Sequence, residues 1–74
     1  MNKKLQDTIN KFILAAKMID GAEYAVFELS DEIGNCVILT GEILDDNTRD
    51  KINELGKKYG LLILARNLSI KYDN

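Results

Sequence analysis

Residues 36–66 read CVILTGEILDDNTRDKINELGKKYGLLILAR, and this stretch decides the fold. It divides into an extended run rich in isoleucine, valine and threonine, a polar segment with helical spacing, and a short apolar run. Leu61-Leu62-Ile63-Leu64-Ala65 contains no polar residue to mark a wet face. A strand apolar on both faces is expected in the middle of a sheet, and these five residues are too few for a buried helix. Tyr59-Gly60 just before them is a helix stop. At the other end, Asn47-Thr48-Arg49-Asp50 fits a capping box, with Asn47 at the N-cap and Asp50 at N3. Asp45 and Asp46 place negative charge at the positive end of the helix dipole, and Lys57 and Lys58 sit at its negative end. Thr48, Ile52, Leu55 and Tyr59 form one stripe, and Gly56 beside it permits close packing of helix on sheet. A strand–helix–strand unit of this length is a crossover between parallel strands.

Upstream, residues 2–19 carry Leu5, Ile9, Phe12, Ile13, Ala16 and Ile19 on one broad face, which predicts an amphipathic helix ending at Asp20-Gly21. Leu14 and Met18, one turn apart, point away from that face and mark a contact surface. Residues 23–29 alternate as a strand: Ala25, Phe27 and Leu29 face one way, Tyr24, Val26 and Glu28 the other. The short turn of residues 30–35 joins it antiparallel to the strand of residues 36–43, in which Gly41 suggests a bend or bulge. At the C-terminal end, Leu68, Ile70 and Tyr72 point inward and Ser69 and Lys71 outward, the pattern of a half-buried edge strand. Arg66-Asn67 before it reads either as a two-residue hairpin turn or as a bulge in one long strand, and the hairpin is favoured. Asp73 and Asn74 are expected to fray.

The expected fold is therefore α+β, a two-layer α/β sandwich ordered helix-strand-strand-helix-strand-strand, with a mixed sheet and both helices on one face. Seventy-four residues make one small domain with a modest core, so burying further apolar surface by association would help it. The other sheet face, with Tyr24 and Val26 on it, is left partly apolar and open to a second molecule.

Charge is unevenly distributed although the net value is only -2. Residues 23–46 hold seven acids and no base, among them Asp31 and Glu32 in the turn, so an acidic pole is expected that would attract a basic partner surface. The last third holds six basic residues against three acids.

Several chemistries are excluded by composition. There is no histidine, which removes the usual neutral-pH base and zinc ligand, and with it any Ser–His–Asp or Cys–His pair. The single cysteine, Cys36, permits neither an internal disulfide nor a paired-thiol centre, and in the second strand it is expected to be a small buried hydrophobe. Gly56 and Gly60 flank lysines at the end of a helix, whereas phosphate is held at helix starts. Glu42, Asp45 and Asp46 lie close in sequence but lack the alternating ligands and central glycine of a calcium loop. No run is long enough to cross a bilayer, and the N-terminus lacks the apolar core of a signal peptide.

The sequence thus predicts a non-enzymatic, cytoplasmic interaction module without cofactor, metal or small-molecule ligand. It would be a small regulator, adaptor or inhibitor, acting as a homodimer or docking on a larger protein with a basic surface. Its contact residues would be Leu14, Met18, Tyr24, Val26, Asp31, Glu32, Ile70 and Tyr72, with the edge strand of residues 68–72 open to an added strand. A nucleic-acid-binding module using the basic second half is the first alternative, and a small enzyme or enzyme subunit with a carboxylate site at Glu42, Asp45 and Asp46 the second.

Overall fold

A computed structural model describes residues 3–30, 32 and 34–72. The elements follow the expected order: α1 (Lys3–Ala16), β1 (Ala25–Leu29), β2 (Cys36–Asp45), α2 (Asp46–Lys58), β3 (Leu62–Ala65) and β4 (Ser69–Tyr72). They form a two-layer α+β fold with a mixed four-stranded sheet. Asp31, Ile33 and the expected fraying of Asp73 and Asn74 lie outside the described residues.

The middle of the sheet is β2. On one side β1 pairs antiparallel with its first half, from Ala25 opposite Gly41 to Leu29 opposite Val37. On the other side β3 pairs parallel with residues 36–39, and β4 pairs parallel with residues 42–45. This corrects the expectation that residues 61–65 run through the centre of the sheet. They form an edge strand. The ten-residue β2 is long enough to take two short strands in succession along one flank, which leaves neither of them a second neighbour among the described residues.

The favoured hairpin at Arg66-Asn67 is also corrected. β3 and β4 run in the same direction beside the same strand, so they are two halves of one strand. Leu39 is opposite Ala65 and Glu42 is opposite Ser69. Two residues of β2 therefore face three, Arg66 to Leu68, across the break, and the extra residue is a bulge. Asn67 adopts the left-handed conformation there, with φ 52°, a state that asparagine tolerates better than most side chains. The bulge reverses the alternation. Before it Leu61 and Ile63 face the core; after it Leu68 and Ile70 do.

Both helices cover the face of the sheet that carries Ala25, Phe27, Val37, Leu39, Ile43 and Ile63. Ile9, Phe12 and Ala16 of α1 and Ile52 of α2 complete that core. Phe12 is its centre, meeting Phe27 edge-on at 5.6 Å and Tyr59 at 6.0 Å between ring centroids, a geometry aromatic quadrupoles favour. α1 stops at Ala16, three residues before its expected end. From there the backbone tightens, Met18 N–H donating to Ala15 O and Ile19 N–H to Ala16 O, so the chain turns towards β1.

α2 is capped by Asp45 and not by Asn47. The Asp45 carboxylate accepts from the N–H and the hydroxyl of Thr48, both at 2.8 Å. Helix and strand thus abut with no loop between them, and the cap is the last residue of β2. At the far end the expected stop is present. Gly60 has φ 71°, the Leu61 N–H donates to Gly56 O and the Gly60 N–H to Lys57 O, a pairing that satisfies the last carbonyls.

Candidate functional site

With the helices on one side, the alternate residues of each strand form a second face that no described element covers. Val26 on β1 and Leu62 and Leu64 on β3 are 45%, 47% and 42% exposed there. Between them, on the central strand, Cys36 and Ile38 are almost buried. Ile38 stands opposite Glu28 on β1 and opposite Leu64 on β3, and Cys36 stands opposite Leu62. Apolar residues therefore run from Leu62 and Leu64 on β3 to Cys36 and Ile38 on β2, and on β1 Glu28 stands opposite Ile38 while Val26 lies one step along the alternation, opposite Thr40. The flanks differ in charge: Glu28 lies on the β1 side, and Arg66 follows Leu64 on the β3 side. Glu28, Ile38 and Arg66 line one shallow depression of about 240 Å³ together with Glu32. The only ion pairs among the described residues are Arg49–Asp46 at 3.0 Å and Lys57–Glu54 at 3.7 Å, so neither Glu28 nor Arg66 has an ionic partner among them.

The expected contact residues fall on three surfaces. Val26 is on the uncovered sheet face, and exposed Tyr24 precedes it on the same alternation. Leu14 and Met18 are 71% and 84% exposed on the outer side of the helical layer, so they belong to another surface. Glu32 is exposed beside the depression. Ile70 is half-buried, packed against the core opposite Ile43. Tyr72, at the end of β4, is exposed, and the Lys71 ammonium lies 5.4 Å from its ring centroid.

Sequence reasoning misses Leu62 and Leu64 as surface residues, because an apolar run implies cover on both sides. The length of β2 is the available signal, since the longest strand is the one that can carry neighbours on both flanks.

The edges of the sheet are treated differently. On β1 the Lys17 ammonium donates to the Ala25 carbonyl at 2.9 Å, placing a charge on backbone that another strand would otherwise pair with. On the other flank β3 and β4 pair only with β2 among the described residues, and the bulge at Asn67 divides their outer edge into two short segments. Between the helices runs a separate cleft of about 510 Å³, with Ala15, Ile19 and Leu55 on its walls and Asp50, Lys51, Glu54 and Lys58 at its rim.

The three carboxylates of the possible catalytic site are differently engaged. Asp45 is occupied as a helix cap, and the Thr48 N–H, then its hydroxyl, hold its carboxyl below the usual aspartate range. That is the opposite of the raised value a general acid needs. Asp46 pairs with Arg49. Glu42 instead lines a small pocket of about 100 Å³ beside Tyr24 and Lys71. Among the described residues no group of three potential ligands is placed to hold a metal ion. Cys36 is a free, buried thiol, as expected. No helix of the described residues is long and apolar enough to cross a membrane.

Comparison with protein-family models, with curated proteins and with solved structures finds no match to this chain.

Proposed function

We propose that this protein is a non-enzymatic interaction module, a small cytoplasmic regulator, adaptor or inhibitor that works by covering its uncovered sheet face with another protein surface. The supporting observation is the group of exposed apolar residues Val26, Leu62 and Leu64 around Ile38. Single exposed apolar residues are ordinary, but three on the strands either side of a buried isoleucine make a patch. Its burial would return roughly 25 cal/mol for each Å² of apolar surface removed from water. A small domain gains more from this than a large one, because its own core is limited.

The nucleic-acid alternative draws less support. Its basic residues are dispersed: Arg49 and Lys57 are engaged by acids, Lys58 borders the interhelical cleft, and Arg66 lines a depression with Ile38. A strand carrying phosphates would need these charges along one track.

The test is a comparison of the wild type with L62K/L64K. Both are measured for size at micromolar concentration and used as bait in extracts of the native cell. The wild type should assemble with itself or retain a partner, and the variant should lose both. If the variant assembles and captures as the wild type does, the sheet face is not the docking surface.

A further inference from the structure

The outer edge of β1 carries backbone groups that another strand could bond. The Tyr24 carbonyl accepts from the Glu42 N–H, and the Ser30 N–H donates to the Cys36 carbonyl, both at 3.2 Å, one at each end of the β1–β2 ladder. In an antiparallel pair only alternate residues exchange hydrogen bonds with the neighbour. The even-numbered residues of β1 therefore bond β2, and the N–H and C=O groups of Ala25, Phe27 and Leu29 point away from it. Those of Ala25 are engaged: its N–H donates to the Ala22 carbonyl at 3.2 Å, and its carbonyl accepts from the Lys17 ammonium at 2.9 Å. Those of Phe27 and Leu29 meet no partner among the described residues.

The strand that every copy meets in solution is the β1 of another copy. Antiparallel pairing of the two about a two-fold axis has three registers with hydrogen bonds within Ala25–Leu29, centred on residue 26, 27 or 28. Centred on Val26, the bonds run between Phe27 of one copy and Ala25 of the other. Centred on Phe27, they run between the two copies of Phe27 and between Leu29 and Ala25. With the Ala25 carbonyl held by Lys17, the first register has no bond left and the second keeps only its central pair. Displacing the ammonium means breaking a charge-assisted hydrogen bond.

The register centred on Glu28 escapes this block. It uses only Phe27 and Leu29, and all four of its bonds can form. It also sets Glu28 directly opposite Glu28 of the other copy, in the narrower kind of pair with Cα atoms about 4.5 Å apart. Like charges so placed are destabilising. Glu32 lines the same depression as Glu28 and adds to the negative charge, and Arg66, which lines it too, forms no ion pair with either. Each charged residue thus acts on the registers that the other leaves open.

We propose that Lys17 and Glu28 together guard the outer edge of β1 against pairing with a second copy, Lys17 by holding the Ala25 carbonyl and Glu28 by charge repulsion. The guard operates whatever covers the sheet face. Its consequence is for that face, because edge pairing would join two sheets into one and merge two uncovered apolar surfaces, the arrangement that leads to aggregation.

The experiment is amide hydrogen exchange at Phe27 and Leu29, followed over about a hundredfold range of protein concentration. Sedimentation and circular dichroism on the same samples give mass and folding. In the wild type both amides should exchange fast at every concentration, even where the protein associates through its sheet face, since such a contact leaves edge amides unpaired. K17A removes the ammonium, and E28T removes the charge while keeping a residue suited to a strand. In each variant both amides should become protected by about tenfold or more as concentration rises, with a matching gain in mass. K17A/E28T should show the effect at the lowest concentration. E28T leaves Lys17 in place and gives a second measure should K17A fold poorly.

Amides of Phe27 and Leu29 that stay fast in folded E28T and K17A/E28T at the highest concentration overturn the proposal. Concentration-dependent protection in the wild type overturns it as well, because the edge would then be open to pairing. Neither result bears on the sheet face, which stands or falls with L62K/L64K.

Discussion

A β-carbon placed on Gly56 would stand 2.6 Å from Cγ1 of Ile63 and 2.9 Å from its Cδ1. Helix α2 and strand β3 therefore touch through a missing side chain, and the one glycine within α2 is the point of closest approach. The helix gives up about 1 kcal/mol of intrinsic propensity at that position, and β3 gains a surface against which Ile63 packs.

G56A should destabilise the protein. The propensity gain of about 1 kcal/mol is opposed by overpacking of about 1–3 kcal/mol against a β-branched side chain with little freedom to turn. In an I63A background the clash is gone, so the same substitution should become neutral or stabilising. Urea unfolding of the two single variants and the double variant gives the coupling. Additive effects would mean that the two residues are not in contact.

Asp45 makes acid sensitivity local to the β2–α2 junction. Its pKa is lowered in the fold, chiefly by the Thr48 N–H. Its contribution is therefore fully present above the unfolded aspartate value of about 4 and is lost as pH falls through the lower folded value. Glu23, held by the N–H groups of Glu23 itself and of Gly21, is shifted in the same direction. D45A should be less stable than the wild type at neutral pH, and the gap should narrow as pH falls below the unfolded aspartate value of about 4 and through the lower folded value. D45N keeps a capping side chain without the charge. Its stability should depend less on pH across the same range, as measured by thermal melts at stepped pH.

Asn67 tests the bulge. It is exposed and left-handed, so substitutions act on backbone preference with little packing change. N67V should cost about 1–2 kcal/mol, because a β-branched side chain resists positive φ. N67G should stay within about 0.5 kcal/mol of the wild type. Equal stability of the two variants in chemical unfolding would contradict a left-handed residue at this point.

Leu14 and Met18 are on the outer side of the helical layer, away from the uncovered sheet face. L14K/M18K should therefore leave sheet-face assembly and stability nearly unchanged, the latter within about 0.5 kcal/mol as for other exposed sites. Light scattering of this variant beside L62K/L64K separates the two surfaces. Loss of assembly in L14K/M18K alone would move the contact to α1.

Local rules were enough for the order of the elements. Phe12 and Ile9 on a helical stripe, the alternation of residues 25–29, and the Gly60 stop each depend on spacing of a few residues, which the chain states directly. The near-contact of Gly56 with β3 was legible for the same reason, since a glycine opposite an apolar run has few other uses. The position of β3 in the sheet was not. Whether Leu62 and Leu64 are covered depends on which strand lies between the others, and that follows from the length of β2 and the bulge at Asn67, not from the apolar run itself. Capping at Asp45 escapes a local reading because strand and helix meet without a loop, a junction set by where β4 pairs with β2. Periodicity tells each residue which side of its own element it occupies. What stands on that side is decided by elements distant in sequence, and this is how a segment that looks central by composition comes to form an exposed edge.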